Sequence, residues 1–211
     1  MMQIIPAINA TDFKEVKKKI KLVERYVKWV HLDVADGTFT ENTLWHDARD
    51  LVGLKTKLNI EVHLMVVNPE ERALEWLFHP VKRILVHHET IDDIDLIVEK
   101  CREAQVETGV AIAPESDWTA LESYIGTVNF FQILAVKPGH AGQEFLEENY
   151  EKIKQLRRIC TGCDIEVDGG VKMGVAEKCV AAGANILVAA SAIFGDKDIK
   201  RAIDMLKEDC V

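Results

Sequence analysis

Eight short apolar runs rich in β-branched residues recur along the chain, at 4–8, 29–34, 58–65, 84–87, 108–113, 130–136, 165–167 and 186–189. Runs of that length and composition predict strands. Between several of them lie segments with an apolar residue at every third or fourth position, at 13–25, 91–104, 146–159 and 173–182, which predicts helices. Helix signals agree: Thr11-Asp12 and Asn68-Pro69 precede two helices, and Gly183 follows the end of another. Strands alternating with helices imply parallel pairing. One closed barrel takes about 200 to 250 residues. The chain has 211 and shows no linker, low-complexity tract or repeat beyond the βα unit, so it reads as one domain over 1–211. An open doubly wound sheet is the alternative; the strand count and the polar pattern below favour a (β/α)8 TIM barrel.

Charge and cysteine usage narrow the partners. A formal charge of -9 opposes nucleic acid and acidic membrane surfaces, which need clustered cations. The one basic cluster, Lys17, Lys18, Lys19 and Lys21, is interleaved with Val16, Ile20, Leu22 and Val23 and reads as the wet face of a helix. No basic leader or bilayer-length apolar stretch is visible. Five cysteines without framework spacing predict reduced thiols and a cytoplasmic location; the Cys160/Cys163 pair lacks a second CxxC and reads as helix-end packing. The four tryptophans are scattered and form no platform for stacking bases.

In a barrel, chemistry gathers at the C-terminal ends of strands. The second run ends in His31-Leu32-Asp33, whose alternation puts both polar side chains on one face. The third ends in Glu61-Val62-His63-Leu64-Met65 and the seventh in Glu166-Val167-Asp168-Gly169-Gly170. His31, Asp33, His63 and Asp168 together make a ligand set suited to zinc, iron or manganese. A phosphate needs closely approaching backbone N–H groups. The loop after the sixth run (Lys137, Pro138, Gly139, His140, Ala141, Gly142, Gln143), Gly169-Gly170, and Ala190-Ser191 after the eighth can supply them.

The segments IIPAINATDF, VHLDVADGTF, VHLM, VHHE, VKPGHAGQEF, EVDGGV and VAASAIF, in order over nearly the whole chain, resemble those of ribulose-phosphate 3-epimerases. The resemblance implies a ribulose-phosphate-binding barrel and one divalent metal on His31, Asp33, His63 and Asp168, zinc first, with iron, manganese or cobalt as alternatives. It implies a phosphorylated ketose held by Ala7, Met65, Gly139, His140, Ala141, Gly142, Gly169, Gly170, Ala190 and Ser191. The reaction implied is C3 epimerisation between ribulose 5-phosphate and xylulose 5-phosphate, with Asp33 and Asp168 as paired acid and base. It also implies a homo-oligomer, dimer or hexamer. His87-His88-Glu89 matches a family segment and reads as support for neighbouring ligands.

Several residues depart from the family pattern: Ala7 for a serine, Asn9 for an apolar residue, Thr38 for a histidine, Ala35 and Leu134 for methionines, Lys137 for an asparagine, His140 and Ala141 for an aromatic residue and a glycine, and Ala190 for a glycine. These predict lost polar contacts and a larger, reshaped pocket. Besides the epimerase, they leave a non-catalytic sugar-phosphate binder or sensor, and a Schiff-base aldolase using Lys137.

Overall fold

The computed structural model describes residues 2–210. Eight strands, β1 (Gln3–Ile8), β2 (Trp29–Ala35), β3 (Asn59–Met65), β4 (Val81–His87), β5 (Glu107–Ile112), β6 (Phe130–Leu134), β7 (Asp164–Asp168) and β8 (Ile186–Ala189), pair in chain order and close β8 onto β1, every neighbour parallel. The predicted (β/α)8 barrel is the observed fold. Helices α1 (Phe13–Val23), α2 (Pro69–Leu74), α3 (Ile94–Glu103), α4 (Asn149–Ile159), α5 (Val175–Ala182), α6 (Ser191–Phe194) and α7 (Ile199–Glu208) pack outside it. After β2 and β5 the helical part of the connection shrinks to 3-10 turns at Ala48–Leu51 and Trp118–Tyr124.

The helix signals act as read. Asp12 lies in extended backbone and its carboxylate accepts from the Glu15 N–H, capping α1. Pro69 opens α2, where a missing N–H costs nothing. Gly183 ends α5 at φ 118°, a left-handed conformation that favours glycine. Val16, Ile20 and Val23 of α1 are buried, and most of the intervening lysines face water.

The main apolar core is the shell between barrel and helices: Val30, Leu32 and Val34 of β2, Ile60, Val62 and Leu64 of β3, and Val110 and Ile112 of β5 pack there. Alternation turns the other set inward. On β1 and β8 the inward set is apolar, with Ile5, Ala7, Ile186 and Val188 forming a small inner cluster with Leu85 and Phe130. On β2, β3, β6 and β7 the buried interior holds His31, Glu61, His63, Gln132, Glu166 and Asp168. Burying that many polar groups requires partners for them, and their arrangement defines the site.

One expectation is corrected. Cys160 caps the end of α4, the chain turns at once into β7, and the Cα atoms of Cys160 and Cys163 come within 5.5 Å, a disulfide separation. The two are disulfide-paired instead of reduced, while Cys101, Cys179 and Cys210 are free. No helix among the described residues is long and apolar enough to cross a membrane.

Candidate metal centre and substrate pocket

Register assembles the centre. Parallel pairing of β2 with β3 sets His31 beside Glu61 and Asp33 beside His63, and β7 brings in Asp168 opposite Leu134. His31 Nε2 lies 3.4 Å from Asp33 Oδ1 and 3.8 Å from Asp168 Oδ2; His63 Nδ1 lies 3.4 Å and 3.6 Å from the same two oxygens. Four donor atoms each 2.0–2.2 Å from one cation in a tetrahedron stand roughly 3.3–3.6 Å apart. Both imidazoles are fully buried, and His31 Nε2 and His63 Nδ1 have no hydrogen-bond partner. Two orphaned ring nitrogens aimed at two carboxylates fit a divalent cation, and the four predicted ligands form one such cluster.

Behind each histidine a carboxylate fixes which nitrogen faces the site. Glu61 Oε1 accepts from His31 Nδ1 at 2.6 Å, which leaves Nε2 for the centre. Burial pushes the Glu61 carboxyl up, but His31 and Arg83 outweigh it and hold it down at about 2. Arg83 donates to the other Glu61 oxygen and, at 2.7 Å, to Glu107, with its guanidinium 3.8 Å from the Phe130 ring centre. Glu166 sits beside Glu61, and burial together with that neighbouring charge raises its carboxyl well above the ordinary range; Gln132 donates to it at 3.0 Å. His31, Glu61 and Glu166 form a second acidic cluster, but Arg83 already supplies its cation.

For His63 the chain is longer. Burial raises the Glu89 carboxyl, yet its bonds to His87 and Ser116 hold it down at about 2, so it is an acceptor only. His87 Nδ1 therefore donates to Glu89 Oε2 at 3.0 Å, and its Nε2, 2.8 Å away, accepts from His63 Nε2. Burial lowers the His87 pKa, which keeps the intermediary neutral. His63 is left presenting Nδ1 to the centre. Glu89 is fixed in turn by the Ala113 N–H at 2.8 Å and the Ser116 hydroxyl.

The facing imidazoles and carboxylates shift one another. Burial would lower the His31 and His63 pKa values, but the facing carboxylates, Asp33 with Glu61 for the first and Asp168 with Asp33 for the second, raise both. Burial would raise Asp33, and the two histidines instead push it well below the usual carboxylate range.

Above the centre, all ten predicted substrate residues line one pocket: Ala7, Met65, Gly139, His140, Ala141, Gly142, Gly169, Gly170, Ala190 and Ser191, together with Asp33 and Asp168. Gly170 has φ 68°, and a Cβ there would run into the Phe145 backbone, so the loop after β7 presses directly on the segment before α4. Asn42 donates to Gly139 O at 2.6 Å, clasping the loop after β2 to the loop after β6.

The surroundings of three departures are defined. Ala35 opens no space, because it is fully buried against Leu44 and Met65, with Phe39 alongside. Thr38 keeps a polar role, its hydroxyl accepting from the Val67 N–H at 3.0 Å. Lys137 directs Nζ to Glu41 Oε1 at 3.1 Å with 62% of its side chain exposed, far from the desolvated setting that activates a Schiff-base lysine. Sequence reasoning quoted Glu61 and Glu166 without assigning them a role, and missed Arg83 and Gln132. The available signal was parity: Glu61 and Glu166 each stand two residues before a ligand and so share its inward face.

The ribulose-phosphate 3-epimerase family model matches residues 3–194. The chain is 36% identical to a chloroplastic ribulose-5-phosphate-3-epimerase of Arabidopsis thaliana, over 97% of this chain and 75% of the relative. It is 31% identical to a ribulose-phosphate 3-epimerase of Bacillus subtilis, over 98% and 99%. A crystal structure of 3-hexulose-6-phosphate synthase superposes at a TM-score of 0.73 with 17% identity, covering both chains fully, which is a likeness of fold alone. A full-length match of sequence, together with a His, Asp, His, Asp cluster at the strand ends, makes this chain a member of the ribulose-phosphate 3-epimerase family.

Proposed function

We propose that this protein inverts C3 of a ketose phosphate, interconverting D-ribulose 5-phosphate and D-xylulose 5-phosphate. The observation that carries the reading is the pair of unpartnered ring nitrogens, His31 Nε2 and His63 Nδ1, facing Asp33 and Asp168 at the floor of a glycine-lined pocket. Those four residues would hold one divalent metal, zinc first, with iron, manganese or cobalt as alternatives. When bound, such an ion supplies Lewis-acid stabilisation of negative charge on the substrate oxygens.

The remaining work falls to the chain. A C–H beside a carbonyl is a weak acid, and inversion needs a base on one face and an acid on the other. Asp33 and Asp168 take those roles, one deprotonated and one protonated in each direction. Each is 11% exposed, screened from bulk water but open to a ligand in the pocket. The backbone of Gly139, Gly142, Gly170, Ala190 and Ser191 binds the phosphate, a role suited to N–H groups at turns and at the start of α6.

Metal-loaded protein is expected to interconvert the two pentulose phosphates and to place solvent deuterium at C3. Asp33→Asn and Asp168→Asn each lower turnover by about 10²–10⁴-fold. Pure, metal-replete protein that converts neither these sugars nor hexulose analogues would refute the proposal. Ala7 and Leu134, which put apolar walls where the family pattern is a serine and a methionine, favour a second reading as a sugar-phosphate binder; ligand binding without deuterium exchange would establish it. A homo-oligomer, dimer or hexamer, is the expected state from the resemblance, and sedimentation of the purified protein tests the assembly.

A further inference from the structure

Asn9 follows β1 immediately and shares the inward parity of Ile5 and Ala7. Its carbonyl accepts from Lys19 Nζ at 2.7 Å, and Lys19 is itself paired with Glu15 at 2.8 Å, so α1 pins the position. Its side chain is half-buried in the pocket, and Nδ2 donates to Asp33 Oδ2 at 3.2 Å. That oxygen is not the one turned toward the two histidines. A primary amide carries two N–H donors and one acceptor oxygen. One donor is used; Oδ1 has no protein partner among the described residues.

The surroundings make that free group conspicuous. Beside the two carboxylates the pocket is walled by Ala7, Met65, Leu134 and Val188. The longer polar chains at the mouth are engaged elsewhere, Lys137 with Glu41 and Gln143 with the carbonyls of Lys137 and His140. A polyhydroxylated ligand set against apolar walls loses water contacts that something must replace. We propose that Asn9 is a specificity-determining residue: Oδ1 accepts one of the substrate hydroxyls that flank the reacting centre, that on C1 or that on C4, while Nδ2 keeps Asp33 Oδ2 turned toward the reacting carbon. This rests on the ketose-phosphate reading above and adds to it a contact on β1.

The test uses metal-loaded full-length protein, Asn9→Leu and Asn9→Ala, with calorimetric binding and kcat/KM for D-ribulose 5-phosphate and its 1-deoxy and 4-deoxy analogues. Inorganic phosphate and uptake of one manganese equivalent serve as controls. Both variants should bind ribulose 5-phosphate about tenfold more weakly and lose kcat/KM in proportion. The penalty should vanish for one deoxy analogue, the one lacking the hydroxyl that Asn9 accepts, with phosphate and manganese binding retained. Equal affinities of the variants and the unsubstituted protein for ribulose 5-phosphate, or a penalty undiminished on both analogues, would overturn the contact while leaving the epimerase reading intact. Unsubstituted protein that binds phosphate but no ribulose 5-phosphate would overturn both.

Discussion

His31 and His63 face the same two carboxylates, yet what stands behind them differs in kind. The His31 arm is charged and runs down the barrel: Glu61, then Arg83, which lies over the Trp29 and Phe130 rings at 4.5 Å and 3.8 Å and reaches Glu107 at the rim. The His63 arm is neutral at its first step and runs sideways: His87, then Glu89, then the loop after β5. One is built into the strands of the barrel floor, and the other ends on a connection. The difference separates stability from ligand orientation, and substitutions can test the separation.

The largest effect is expected in the floor arm. Arg83→Met removes the guanidinium from the second Glu61 oxygen and leaves that buried oxygen without its partner, which costs about 3–5 kcal/mol. Chemical denaturation of the metal-free protein reads this directly. If the loss is under about 1 kcal/mol, the floor arm is not an ion-pair support, and the contrast between the arms fails.

The loop arm should show the opposite balance. Glu89→Gln removes the charge that fixes the His87 tautomer, and with it the orientation of His63 Nδ1. Zinc affinity is expected to fall about 10–100-fold, the range for lost support of a metal ligand. The denaturation midpoint of the metal-free protein should move far less than in Arg83→Met. A variant with unchanged zinc affinity by competition with a chelator would show that His63 is set by packing alone.

pH probes both arms at once, because their carboxylates and the two facing histidines titrate in opposite senses. Glu61 and Glu89 are held down at about 2, below the ordinary 4.5, so their stabilisation is present above pH 4.5 and is lost as pH falls toward 2. His31 is raised above the ordinary 6.5, so its contribution is full below pH 6.5 and disappears as pH rises through the folded value. Metal-free protein should therefore be most stable between about pH 4.5 and 6.5. Saturating zinc converts the imidazoles to neutral ligands and should abolish the alkaline loss; uptake should release protons at neutral pH. Thermal melts across pH with and without zinc check the sign, and identical profiles would contradict the charge pairing of the histidines with the carboxylates in metal-free protein.

How far the sequence reveals this arrangement follows from what each signal depends on. The eight strands are visible because a strand between a helix layer and a packed interior must be apolar, and the four ligands stand out as polar interruptions at strand ends. Arg83 does not stand out. It precedes the run at 84–87, reads as a solvated strand start, and acquires its meaning only when β3 and β5 flank it with Glu61 and Glu107. The 3-10 connections after β2 and β5 are hidden for a related reason, since turns that short lack a period to detect. The disulfide escapes because spacing alone does not say that the turn after α4 brings the two Cα atoms within 5.5 Å.

The smallest effect concerns the mouth of the barrel. Two links join the loop after β2 to the loop after β6: Asn42 to the Gly139 carbonyl at 2.6 Å, part-buried, and Lys137 to Glu41, with 62% and 81% of the side chains exposed. An exposed pair gains little, because water and salt screen it and two long chains must be ordered to form it. Lys137→Ala should therefore change stability by less than about 0.5 kcal/mol. If the amine takes no part in chemistry, turnover with ribulose 5-phosphate should persist, and borohydride should trap no adduct in the unsubstituted protein. A collapse of turnover in Lys137→Ala with an adduct on that residue would move Lys137 from the rim into the chemistry. It would also displace Asp33 and Asp168 from the center of the mechanism, because a covalent carbonyl adduct would then carry the charge that the paired carboxylates are assigned to manage.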